Sequence, residues 1–337
     1  MTKKANRSPY LRETRKTYAP SSEDLEALLK VAGSPRSRSG IRGRALILLL
    51  WTSGARVSEA LAMRRIDLDG LGDPTNLKPT VRLWRAKKAP QGRPRTGKRA
   101  IKEWEAQRLI DNAARIQELR DLAAAGDPVA KGDIALIELS AIQRDRTPED
   151  TVDRGGIESG IRLRGEFAGQ AADALRRWSR ERAKMPGGRD PLAPLWVTAR
   201  ASNNPIGDGT RTRAGSLLRP NTLRTWLARR GELAGLGEKV RLIEGPGKRL
   251  HPHAARHAFA AALWRETRDL QTVRIALGHS HSTTSETYLR GLDVFDEEPE
   301  PVEKPSEDRL DWLIDEFLKL DDGQAAEFRA RANSRRR

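Results

Sequence analysis

The chain has 337 residues, 37 % hydrophobic and 32 % charged, with 63 Lys and Arg against 46 Asp and Glu and a net charge of +17. That length suggests about two domains with a buried core, and so basic a surface calls for a polyanionic partner, most commonly nucleic acid. The absence of cysteine excludes disulfides, Cys-ligated zinc and a thiol nucleophile and fits the cytoplasm, while the longest apolar run, Ala45–Trp51, is too short to span a bilayer.

Residues 1–19 read as a flexible basic arm, with Lys3, Lys4, Arg7, Arg12, Arg15 and Lys16 and no apolar stretch of the signal-peptide kind. A helix start follows at Ser21-Ser22-Glu23-Asp24, with Leu25, Leu28 and Leu29 on its apolar face. Residues 33–40 read as a loop, 44–51 as a buried helix broken by Ser53-Gly54-Ala55, and the next stretch as a short helix carrying Arg56 and Glu59. Thr80–Arg85 and Arg99–Trp104 have strand character, and the Gly-, Pro- and base-rich residues 86–98 between them read as a long hairpin loop. Residues 105–125 look helical, and the pattern weakens from Gly126 to Gly165, so about 105–165 reads as an insertion with little core of its own. Helices are expected at 166–185, 219–237, 253–267, 269–277 and around Thr284–Leu289. A Pro/Glu-rich linker leads to an amphipathic segment, 309–331, with Leu310, Leu313, Ile314, Phe317 and Leu318 on one face. The fold class expected is mainly α with a small antiparallel β-sheet.

All five histidines fall between His251 and His281, and Tyr288 is the only tyrosine outside the arm. Scarce, chemically capable residues in one window point to a site. His253 and His257 have a helical spacing that suits zinc, but no Cys and no intervening HExxH glutamate supports it. Taken singly, Arg56, Glu59 and Tyr288 are ordinary surface or packing residues; they gain meaning as a set.

That set is HPHAARHAFAAAL (251–263), LGHS (277–280) and Tyr288, preceded by GARVSEAL (54–61). The order and spacing resemble the tyrosine recombinases of the phage-integrase family over roughly residues 20–292. The resemblance makes Arg56 the first arginine with Glu59 as its acid, His253 and Arg256 the H-x-x-R pair, His279 the Gly-His element, and Tyr288 the nucleophile nine residues later. It implies a largely helical catalytic domain, and phosphoryl transfer from double-stranded DNA to tyrosine and back with neither metal nor cofactor. Arg56 and Arg256 would clamp the phosphate oxygens, because a guanidinium is a permanent two-pronged donor. His279 would donate to the same phosphate. Tyrosine, with an ordinary pKa near 10, would rely on His253 as base or proton shuttle. Glu59 and His257 would support. The leaving oxygen needs an acid, in the family a hairpin lysine: Lys87 first, Lys88 next, with Lys98 across the loop. Lys88, Arg93, Arg95 and Lys98 would join the arm in binding DNA.

The resemblance also implies a homo-oligomer on DNA, with an accessory protein or second recombinase as a further partner, in a bacterial or phage-encoded protein of the cytoplasm. Only a short arm precedes the catalytic region, so the expected organisation is a minimal form: arm 1–19, catalytic domain 20–298, and linker with C-terminal helix 299–337. Two other functions share these features: a non-catalytic DNA-binding protein on the same fold, and a type IB topoisomerase or telomere resolvase.

Overall fold

The computed structural model describes residues 16–72, 74–76, 78–86, 98–144, 147–149, 156–199, 213–279, 282–292 and 294–295. The chain before Lys16 and the amphipathic segment 309–331 lie outside them. Helix α1 spans Ser22–Val31 and starts where the acids of its first turn predict. The Ser21 hydroxyl accepts the Asp24 N–H while the Asp24 carboxylate accepts the Ser21 N–H, which satisfies two donors that a helix start leaves open. Helix α2, Arg38–Ser53, begins earlier than its apolar run, because the Ser37 hydroxyl caps the Gly40 N–H at 3.1 Å. Arg38–Gly40, read as loop, are therefore helical. Helix α3, Val57–Leu61, follows a left-handed Gly54, and a 3-10 helix occupies Arg65–Leu71.

Strand β1, Thr80–Ala86, lies where alternation places it, but its partner does not. Arg99–Trp104, read as the returning strand, belongs to helix α4, Lys98–Ala124, which is followed by α5, Pro128–Arg144. Ile101 and Trp104 stand three residues apart, a helical and not an alternating spacing, and the helix-forming residues after them continue the helix. The true partner is β2, Gly156–Arg162, antiparallel to β1 with Thr80 opposite Arg162 and Ala86 opposite Gly156. The sheet is thus a two-stranded hairpin with a helical hairpin inserted at its tip. The insertion, expected to have little core, does carry one: Trp84 packs with Ile116, Leu136 and Ile137. Strand pleating explains the attachment, since Val81 and Leu83 face the main core while Trp84 faces away into the inserted helices. The Arg64 guanidinium donates to Gly132 O at 2.8 Å and the Gln143 amide to Leu218 O at 3.1 Å, which ties α5 to the body.

Helix α6, Ala168–Ala183, returns across α2, and the stacked rings of Trp178 and Trp196 fill the space beneath it. The expected helix over 219–237 divides at a left-handed Gly235 into α7, Pro220–Leu233, and α8, Leu236–Glu244. Then come α9, Pro252–Thr267, α10, Leu270–Leu277, and α11, Ser282–Gly291. Thr17–Ala19, read as the end of a flexible arm, are packed instead: Tyr18 is buried in the main core. Among the described residues no helix is long and apolar enough to cross a membrane.

Candidate active site

Two hydrophobic clusters meet along α9. Its Ala254 and Ala255 belong to the large cluster, and Phe259, Ala260, Ala261 and Leu263 to a smaller one formed with α10 and α11. Arg256 and His257 stand at the changeover, so polar side chains there are held between two packed bodies.

Arg256 is 2 % exposed. One guanidinium nitrogen donates to Gly54 O and the other to Leu277 O, each at 2.6 Å. Both carbonyls close helices: Gly54 caps α2 and Leu277 is the last residue of α10. A helix end leaves carbonyls without donors and carries partial negative charge. The buried cation therefore sits where two such ends converge. Gly54 is required twice over, by its φ of 59° and because a Cβ would meet the Phe259 ring at 2.4 Å.

Arg256 Nη2 also lies 3.3 Å from His279 Nε2, and His279 Nδ1 lies 2.9 Å from the Ser285 hydroxyl, which α11 buries completely. Tyr288, one turn further along α11, presents its ring to both histidines. The His257 centroid is 4.9 Å away and tilted by 31°, and the His279 ring meets Tyr288 edge-on at 5.6 Å. The Tyr288 hydroxyl is buried; the Arg256 guanidinium is close enough to act on it as a donor but stands outside strict hydrogen-bond geometry. Burial pushes its pKa above the ordinary phenol value, against the opposing pull of the Arg256 and Arg56 guanidiniums.

Arg56 is the residue before α3, and Glu59 in the first turn of that helix binds it twice. The carboxylate accepts the Arg56 N–H at 2.9 Å and its guanidinium at 2.7 Å. Burial alone would raise the Glu59 carboxyl, but Arg56 and, further away, Arg256 outweigh it and hold the group below its usual range. The Arg56 side chain stays 39 % exposed, so its charge faces outward from an anchored base.

His253 opens to solvent in the first turn of α9. Partial burial, then the positive charge of Arg256, His251, Arg56 and Arg224, lowers its pKa and favours the neutral imidazole. His257 is buried, its Nδ1 has no hydrogen-bond partner, and burial followed by His251, His253 and Arg256 pushes it down to about 3. The rings of His253 and His257 are 6.4 Å apart, and among the described residues no three His, Cys, Asp or Glu are grouped to hold a metal.

The structure thus brings together Arg56 and Glu59 at α3, His253, Arg256 and His257 on α9, His279 just past the end of α10, and Tyr288 on α11. Lys16 is exposed and Lys98 opens α4. Lys87, Lys88, Arg93 and Arg95, with Lys3, Lys4, Arg7, Arg12 and Arg15, lie outside the described residues. Sequence reasoning missed Ser285. Its position three residues before Tyr288, hence on the same helical face, was the available signal.

Residues 162–293 match the model of the phage integrase family. The match takes in β2's last residue through α11, with His253, Arg256, His279 and Tyr288, while Arg56 and Glu59 precede it. The chain is similar to tyrosine recombinase XerC of Azotobacter vinelandii, 30 % identical over 187 residues that make up 54 % of this chain and 55 % of that protein. It is also similar to tyrosine recombinase XerD of Bifidobacterium longum, 29 % identical over 53 % of this chain and 56 % of that one. The chain spans about half the length of the curated relatives it matches. Among solved structures, XerH site-specific recombinase bound to palindromic difH substrate overlaps 81 % of this chain and 49 % of that one, at 19 % identity and a TM-score of 0.45.

Proposed function

We propose that this protein breaks and rejoins double-stranded DNA through a 3′-phosphotyrosine formed on Tyr288. The observation that carries the reading is the placement of Tyr288 between His257 and His279, with the charges of Arg256 and Arg56 acting on its hydroxyl. Phosphoryl transfer asks little covalent help of a protein and much positioning and charge stabilisation. Arg56, anchored by Glu59, and Arg256 supply permanent cations for the phosphate oxygens. His279, held by Ser285, supplies a further donor. His253, neutral and open to solvent, takes the phenol proton. The leaving oxygen needs an acid, and by resemblance to the family this is a lysine of the β hairpin; Lys87, the residue after β1, is our choice. The covalent intermediate keeps the phosphodiester energy, so rejoining needs no nucleotide cofactor.

The organisation that goes with this reading is a basic arm, a catalytic domain to about residue 298 and a C-terminal tail, acting in the cytoplasm as a homo-oligomer on DNA with or without an accessory protein. Arg93, Arg95 and Lys98 would extend the DNA contact of the arm. The test is a covalent adduct: nicked, labelled DNA from beside the protein's own gene is incubated with it and denatured in detergent. A labelled protein band that Tyr288→Phe lacks is the expected result. Tight, salt-sensitive binding of that DNA with no band would replace this reading with a protein that only binds.

A further inference from the structure

Lys16–Pro20 runs without helix or strand ahead of α1, yet its backbone makes two specific contacts with the elements that carry the site. The Thr17 N–H donates to Gly291 O, the last residue of α11, at 3.0 Å. The Tyr18 N–H donates to one oxygen of the Glu244 carboxylate at 3.1 Å. The other oxygen of Glu244 lies 3.4 Å from His251 Nε2, and His251 is the residue from which α9 starts. Glu244 is nearly buried, its side chain 10 % exposed.

The segment is itself fixed. The Tyr18 hydroxyl donates to Asp24 at 2.5 Å, and Asp24 also accepts from Lys239 on α8 at 2.6 Å. Ala19 packs against the small cluster that includes the Tyr288 ring. One short stretch of chain therefore holds the C-terminal end of the Tyr288 helix on one side. Through a single carboxylate it holds the start of the His253–Arg256 helix on the other. The Gly291 carbonyl is one of those that a helix end leaves without an internal donor, so Thr17 supplies a cap from a distant part of the sequence.

We propose that Thr17 and Tyr18, together with Glu244, form a strap that sets α11 against α9, which makes Glu244 a positioning residue for the reaction of Tyr288. The inference rests on Tyr288 being the nucleophile. It follows from the geometry of the two helices: attack requires the phenol oxygen to approach in line with the bond it breaks, so a small shift of α11 along α9 misaligns it without touching the phosphate-binding arginines. Glu244 is well suited, because its two oxygens serve two elements at once and neither contact lies on the open face of the site.

The test uses the full chain and three variants. Glu244→Ala removes both contacts. Glu244→Gln keeps an oxygen for the Tyr18 N–H and an amide for His251. Thr17→Pro removes the N–H that caps α11, together with the Thr17 side chain. Single-turnover adduct formation on nicked DNA, DNA affinity, and hydrogen exchange of residues 282–292 are measured for each. Glu244→Ala and Thr17→Pro are expected to form adduct about tenfold to a hundredfold more slowly, with affinity for DNA within about twofold of the parent and faster exchange in α11. Glu244→Gln is expected to restore the rate to within about threefold of the parent. Unchanged adduct rates in both disruptive variants would overturn the strap, as would a Gln variant no better than Ala. If the parent itself forms no adduct, the nucleophile reading falls, and unchanged exchange in α11 of the variants then overturns the strap separately. Should Glu244→Ala fail to fold, Thr17→Pro decides the matter by the same measurements.

Discussion

Truncating Arg256 is the most direct probe of how the site is held together. In the native protein its guanidinium satisfies two buried helix-terminal carbonyls at 2.6 Å and approaches His279 at 3.3 Å. Arg256→Ala removes all three contacts and leaves Gly54 O and Leu277 O facing a cavity. Each buried acceptor deprived of its donor destabilises by about 1–3 kcal/mol, and water entering the space recovers part of that. The two carbonyls together set about 2–6 kcal/mol before water enters, so the net loss expected is about 2–4 kcal/mol, a large fraction of a typical domain's stability. Arg256→Lys keeps the charge but not the planar fork, so one ammonium must serve two diverging carbonyls; about 1–3 kcal/mol is expected. Urea unfolding followed by far-ultraviolet circular dichroism measures both. An Ala variant within about 1 kcal/mol of the parent would refute the argument, because it would mean the two helix ends do not depend on the guanidinium.

Three further outcomes follow from particular contacts. Tyr288→Phe removes a buried hydroxyl whose one nearby donor, the Arg256 guanidinium, stands outside strict hydrogen-bond geometry, so thermal unfolding should shift stability by no more than about 1 kcal/mol, even as the adduct is lost; marked destabilisation would contradict the site geometry. His257 has a folded pKa of about 3 against an ordinary value of 6.5, so between those values the unfolded chain binds the extra proton. Its contribution is complete above about pH 6.5 and is lost as pH falls toward 3, by at most about 1.4 kcal/mol per pH unit. Comparing urea midpoints at pH 7 and pH 5, His257→Leu should show a shallower decline than the parent, and an identical decline would rule out a buried neutral imidazole. Ser285→Ala takes away the partner of His279 Nδ1, and adduct formation should slow by about tenfold with DNA affinity unchanged; a normal rate would mean packing alone orients the ring.

The residues that the structure gathers at the candidate site were legible in the sequence because they are written in short local spacings. His253 to Arg256 is one helical turn, Tyr288 follows His279 by nine residues, and Arg56 to Glu59 is the first turn of α3. Helix starts that place a side chain over their own first turn were legible for the same reason, as at Ser21 and Asp269. What the sequence hid is non-local. β2 reads Gly-Ile-Glu-Ser-Gly-Ile-Arg, with two glycines that lower its strand propensity, and it is a strand because β1 offers it an edge to pair with. The Thr17–Gly291 and Tyr18–Glu244 contacts have no periodic signature at all, since main-chain donors carry no residue identity. The misread Arg99–Trp104 has a different cause: Ile101 and Trp104 already stand at the i,i+3 spacing of a helix, and a stretch of six residues next to a Gly/Pro-rich segment was too short for that spacing to be given its weight.

The helical hairpin that separates β1 from β2 also orders events in time. Closing a chain loop becomes harder only as the logarithm of its length, so parting the strands by residues 87–155 rather than by a tight turn adds about 2–3 kcal/mol to the entropy of bringing them together. That entropy must be met before any strand contact rewards it, whereas α4 and α5 meet through a short connection and can pair early. The sheet is therefore a late arrival during refolding. Pulse-labelled amides of Val81, Leu83 and Trp84 should gain protection after those of α5, and the edge from which Lys87 and Lys88 emerge should be among the last parts of the molecule to take shape.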